Sequence, residues 1–179
     1  MPIGALAASG ERRPKFSAFS CRNHYVAPRT MAWDHTGRLS VVVHSELPPS
    51  SLEWSRYLNA NRILTDLRVM VCTYGGGPDG GQRRELMDDV FYNNVPTVVM
   101  TNSVVVRCMV NAINWFNRNM KALPIDADVA AHRLLGLSAQ EAVRALELRE
   151  KLERELGVGR FAGHATGVPV QPGTPGPHP

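Results

Sequence analysis

The sequence predicts an α/β fold: a mixed, mostly parallel sheet opened by an N-terminal β-hairpin, with helices packed on the sheet and an extra C-terminal helix. Three observations carry this. The runs Arg68-Val69-Met70-Val71-Cys72-Thr73 and Pro96-Thr97-Val98-Val99-Met100-Thr101 are short, continuous and apolar, the pattern of strands buried on both faces. Each is followed by a capping signal and a helix-length segment, and strands that alternate with helices pair in parallel. Upstream, two β-prone runs are joined through Gly37, which reads as a hairpin.

The elements follow in order. Met31-Ala32-Trp33-Asp34-His35 and Leu39-Ser40-Val41-Val42-Val43-His44 form the hairpin, and Pro48-Pro49 stops its second strand. Ser50 or Ser51 caps a helix with Glu53 in its first turn; Leu52, Trp54, Tyr57, Leu58 and Ile63 supply its apolar face. The strand 68–73 leads into the loop Tyr74 to Gly81. A helix is expected from about Gln82 to Tyr92, with Leu86, Met87, Val90 and Phe91 on its apolar face and Asn93-Asn94 ending it. The strand 96–101 leads through Asn102-Ser103 into a helix from Val104 to Asn117, and Met120-Lys121-Ala122-Leu123 is a short last strand. A helix from Asp126 to Leu135 is closed by Gly136. Ser138-Ala139-Gln140-Glu141 is a capping box that opens a helix running to Leu156 and stopping at Gly157. Glu147 with Lys151 and Glu150 with Arg154 are spaced for pairing on its surface. Its apolar positions, Ala142, Val143, Leu146, Leu152 and Leu156, suit packing on its own domain or on a second copy.

The composition divides the chain into three. Residues 1–29 carry five basic residues against one acidic, without periodicity, and read as a disordered basic arm. Residues 30–157 form one domain, in which 138–156 is an appended helix. Residues 158–179 are rich in proline and glycine and read as a disordered tail. Met31 stands immediately before the patterned region, so translation from Met31 would yield all of it; peptides from residues 1–29 in the native protein would refute that start. No apolar run approaches the roughly 18 residues that span a bilayer. Three cysteines without close spacing, Cys21, Cys72 and Cys108, fit a reducing cytoplasm rather than a disulfide framework or a zinc site. Cys72 and Cys108 lie in apolar segments and read as small buried hydrophobes. No pair of the six histidines has metal-ligand spacing, and no nucleophile–base order is apparent; His44 is expected to be a satisfied sheet histidine. The sequence therefore predicts no enzyme, no metal, no cofactor and no specific nucleic-acid contact. Asp88-Asp89 reads as a solvated helix face, and Trp115-Phe116 as core.

The working edge is expected beyond the carboxyl ends of the strands. There the loop with Thr73, Gly75, Gly76, Gly77 and Asp79 faces the loop with Asn102 and Ser103, provided the strands are neighbours. Arg83 and Arg107 lie in the helices that follow. Exposed amides at two helix N-termini with these side chains would suit an anion such as a phosphate. The alternative is a flexible turn capped by Asp79, with Ser103 as a plain N-cap. The loop matches neither a P-loop nor the dinucleotide fingerprint.

The order of elements resembles the STAS fold (sulfate transporter and anti-sigma factor antagonist). Gly75-Gly76-Gly77-Pro78 with Gln82-Arg83, Pro96 to Ser103 with Val106-Arg107, and Asn114-Trp115-Phe116-Asn117 look like a group of bacterial STAS-like proteins, over about residues 30–136. The resemblance implies a non-catalytic regulatory or protein-interaction module of a bacterial signalling system. Its expected partner is a regulator or kinase, with a homodimer as a further arrangement. It also implies, as an alternative, a sensor of a small anionic ligand, nucleotide or phosphate, or of a lipid head group. Anti-sigma antagonists are switched at a Ser or Thr opening the helix after the third strand; here Pro78, Asp79, Gly80 and Gly81 stand there, without a hydroxyl.

Overall fold

A computed structural model describes residues 29–114 and 119–162. The basic arm up to residue 28, Cys21, Trp115-Phe116 and the tail from residue 163 lie outside the described residues.

The expected α/β architecture is present. A five-stranded sheet has the order β1 (Met31–Thr36), β2 (Leu39–His44), β3 (Arg68–Thr73), β4 (Thr97–Thr101), β5 (Met120–Leu123). β1 pairs with β2 antiparallel through a two-residue connection in which Gly37 takes φ +60°, a value that glycine adopts at little cost. The other pairs are parallel. The helices are α1 (Ser51–Arg62), α2 (Gly80–Asp88), α3 (Val104–Asn114), α4 (Asp128–Leu134) and α5 (Ala139–Leu156).

A parallel sheet that grows in one direction by crossovers of one hand sends its connecting helices to one face. That face carries Met31, Val42 and Val69 under Trp54, Tyr57 and Leu58 of α1, with Tyr92 and Val95 beside them. The opposite face carries Val41, Val43, Met70, Cys72, Val98 and Met100. It is covered by Ala131 and Leu135 around α4 and by Ala145 and Leu152 of α5. The period-two alternation of the strands thus feeds two cores. α5 is the lid of the second core, not an appendage, although Val143 and Leu146 remain on its outer side.

Several expectations need correction. The buried face of α1 is Trp54, Tyr57, Leu58 and Asn61, spaced three, four and seven apart; Leu52 and Ile63 (82% exposed) point outward. α2 ends at Asp88, not Tyr92. There the Asp89 carboxylate accepts from the Phe91 amide at 2.9 Å and from Arg62 at 2.6 Å, and a side chain that binds local backbone competes with helix. A short 3-10 turn, Tyr92–Asn94, follows, and Val90 is left 77% exposed. Asp89 is therefore an ion-pair partner rather than part of a solvated acidic face. Cys108 is exposed, whereas Cys72 is buried as expected. The expected pairs along α5 are replaced by longer ones: Lys151 binds Asp34 at 2.8 Å, Glu150 binds Arg160, and Arg154 stacks on Phe161. Finally, order continues past Gly157. Its φ of +64° turns the chain so that Val158 enters the core, and residues 159–161 form a 3-10 turn.

Candidate functional site

β3 and β4 are parallel neighbours, so the two loops beyond them lie side by side. The glycine loop is a packed turn. The Thr73 hydroxyl donates to the Gly76 carbonyl, and the Gly76 amide donates to Ser45 O at 2.8 Å. A Cβ on Gly76 would stand 2.4 Å from Leu47 O and 2.5 Å from Ser45 O, so glycine is required for the loops after β2 and β3 to meet. Asp79 and Gln82 form a capping box at the start of α2, each side chain on the other's amide at 2.9 Å. Gln82 also donates to Pro49 O at 2.9 Å, and Arg83 to Pro78 O at 2.6 Å. On the β4 side, Ser103 accepts from the Val106 amide and Asn102 from the Ile125 amide. Asp79, Asn102 and Ser103 thus spend hydrogen-bonding capacity on the fold.

The structure separates the nine expected site residues into two sets. Thr73, Gly75, Gly76, Gly77, Asp79 and Arg83 line a cavity of about 830 Å³ between the sheet and α1, α2 and α3. Asn102, Ser103 and Arg107 are not among its lining residues.

The cavity follows from the character of α2. This helix is short and polar, and Gln82 is its one buried residue. It is held by its cap and by the Trp54 indole, which donates to Glu85 at 2.9 Å, rather than by an apolar stripe. Val42, Val69, Val71 and Val99 of the sheet form the cavity floor. Leu86, Met87, Met109 and Val110 form the walls. An apolar concavity of this size lies within the range of small-molecule sites.

His44 is the polar group that sequence reasoning misjudged. It lines the cavity, is 2% exposed, and its Nδ1 has no hydrogen-bond partner among the described residues. Leaving such a group unpaired costs about 1–3 kcal/mol. Burial pushes its pKa down to about 4, against the opposing field of Glu53. The Glu53 carboxyl sits at about 2: burial would raise it, but hydrogen bonds from Ser50 and Thr30 outweigh that. The parity of the Val41-Val42-Val43-His44 run does place His44 on the same face as Val42, which is the signal that pointed to it.

The opposite face holds a second concavity of about 400 Å³ beside Tyr74, Asp128, Arg149 and Glu153. Its buried charges are mutually engaged. Arg149 binds Glu153 at 2.6 Å and Asp128 at 2.7 Å, and Tyr74 donates to Glu153 at 2.5 Å. Burial, and then the hydrogen bond to Glu153, push the Tyr74 phenol up to about 12. Burial likewise pushes the Cys72 thiol up to about 12, which keeps it protonated and poorly nucleophilic. Among the described residues, no three His, Cys, Asp or Glu side chains are placed to hold a metal ion, and no helix is long and apolar enough to cross a membrane.

Comparison with family models, with curated proteins and with solved structures returns no match to this chain.

Proposed function

We propose that this domain is a non-catalytic binding module whose small-molecule ligand occupies the cavity between α2 and the sheet. The observation that carries the reading is the cavity itself: about 830 Å³, floored by valines and lined in part by the glycine loop. Much of the lining is hydrocarbon, from Val42, Val69, Val71, Val99, Leu86 and Met109, an arrangement that suits holding a molecule. The glycine loop's role is then to bring Ser45–Leu47 and α2 together at the mouth. Thermal denaturation against a panel of small apolar and anionic compounds tests this. A ligand at 100 times its Kd adds about 2.7 kcal/mol to stability, so a binder raises the midpoint measurably. A broad panel without any shift counts against the reading.

A second reading is the regulatory contact module implied by the STAS resemblance, with a regulator or kinase as partner. Exposed Met87 and Val90, after the glycine loop, and exposed Val104, Val105 and Met109 of α3 favour it. Under that reading Val105→Glu abolishes a partner recovered by the wild-type chain; retention of all partners would remove its support. Both readings suit a module of a cytoplasmic signalling system.

A further inference from the structure

α4 and α5 run antiparallel over the second core. Asp128, the first residue of α4, binds Arg149 in the later half of α5. The carbonyls of Leu135 and Gly136, just past the end of α4, accept from Arg68, which also binds Glu141 in the first turn of α5. Their inward sides are spent on Ala131, Leu135, Ala145 and Leu152. On the outward side Val129 is 74% exposed, Val143 55% and Leu146 37%. Leu146 shares a concavity with Asp126 and Asp128, so the start of α4 and the middle of α5 form one surface.

A few exposed apolar side chains by themselves say little. The charges beside them point to what covers them. Glu141, Arg149, Glu150, Lys151, Glu153, Arg154 and Glu155 of α5 all have partners within the chain. Arg144 and Glu147 differ: both are exposed, neither side chain has a partner among the described residues, and they flank Val143 and Leu146. The outer side of α4 is built alike. Asp126 just ahead of it and Arg133 in its last turn are exposed and free, with Val129 between them. Because the two helices are antiparallel, Asp126 and Glu147 lie toward one end of the face, and Arg133 and Arg144 toward the other.

A face with acids at one end, bases at the other and hydrocarbon between is complementary to itself after a two-fold rotation, the operation that relates the subunits of an isologous dimer. A partner charged uniformly with either sign would be repelled at one end. Antiparallel packing of two α5 helices about the point between Val143 and Leu146 sets Val143 against Leu146 of the second copy. It also turns Arg144 and Glu147 of each copy toward Glu147 and Arg144 of the other. Rim pairs of this kind fix the register more than they add affinity.

We infer that a second copy of this chain covers the outer face of α4 and α5, in an antiparallel two-fold dimer centred on Val143 and Leu146. The contact lies on the opposite side of the sheet from the core under α1, and it does not depend on the cavity reading.

Sedimentation velocity of the full chain under reducing conditions at pH 7, from about 1 to about 200 µM, tests it. The wild type passes from monomer to dimer across the series. Val143→Glu, at an exposed position, leaves the thermal midpoint of the dilute protein unchanged and weakens the dimer at least about tenfold. Arg144→Glu and Glu147→Arg each set like charges opposite one another, and each weakens it at least about fivefold. An equimolar mixture of these two variants regains association, because each copy then meets opposite charge. Val105→Glu, on α3, leaves the dimer as it is. A wild type that stays monomeric throughout overturns the inference and leaves the face to a different protein or to residues 163–179 of the same chain. A dimer that survives Val143→Glu, that Val105→Glu dissolves, or whose two charge variants do not rescue each other overturns it as well, because the contact then lies elsewhere or has another geometry. None of these outcomes bears on the cavity reading, which ligand binding decides by itself.

Discussion

Replacing Arg149 by methionine strands the carboxylate of Glu153 beneath α5. Glu153 is 4% exposed, and Arg149 Nε stands 2.6 Å from its Oε1. After the substitution the Tyr74 hydroxyl, at 2.5 Å, is its remaining partner. Asp128 also loses its guanidinium contact, but its side chain is more exposed and can rehydrate. Removing one member of a buried ion pair costs roughly 3–5 kcal/mol, because the other charge stays desolvated. For a chain of this size that lowers the thermal midpoint by roughly 6–20 °C. The double variant Arg149→Met/Glu153→Leu removes both charges and refills the space. It orphans one end of the Tyr74 hydroxyl, so it falls within about 1–2 kcal/mol of the wild type. Urea denaturation followed by circular dichroism on the wild type, both singles and the double gives the coupling energy. A double variant as unstable as the sum of the singles, or a single Arg149→Met loss under about 1 kcal/mol, would refute the view that this network clamps α5 to the end of β3.

Gly76→Ala forces a methyl against two backbone carbonyls and costs roughly 1–3 kcal/mol in thermal denaturation, whereas Gly77→Ala, which meets open space, changes stability by less than about 0.5 kcal/mol; equal effects would contradict the packed-turn description. The folded pKa of His44, about 4, lies below its ordinary 6.5, so the unfolded chain takes up the proton first. Stability therefore falls as pH drops from 6.5 toward 4, by up to about 3 kcal/mol from this group, and His44→Phe flattens that slope in urea titrations at pH 7 and 4.5. The depressed Glu53 acts in a lower window, where its stabilisation is lost as pH falls from 4.5 through about 2. In a Cys21→Ser background, an aromatic disulfide reagent labels exposed Cys108 in the native protein and buried Cys72 only on unfolding; rapid double labelling of the native chain would show that the β3 core opens readily.

What the sequence determined by itself is what neighbours in the chain decide. The valine runs of β2, β3 and β4 are legible because burial on both faces demands continuous apolar residues. The starts of α1 and α5 are legible because Ser50 with Glu53 and Ser138 with Glu141 cap their own helices three residues apart. The glycine loop was located, and so was its position beside Asn102-Ser103. Asp79 as a cap, the less functional of the two readings, is the one the local geometry bears. The end of α2 was missed because Asp89 is drawn out of the helix by Arg62, 27 residues away. Only the tertiary structure decided which loop residues share a concavity and that His44 Nδ1 is buried without a hydrogen-bond partner among the described residues. It likewise decided that Arg149, Asp128, Glu153 and Tyr74 meet, although Tyr74 and Arg149 are 75 residues apart. Each of these depends on the space between elements and on which polar groups find one another across it. Periodicity fixes the face a residue points to, but not what stands opposite it.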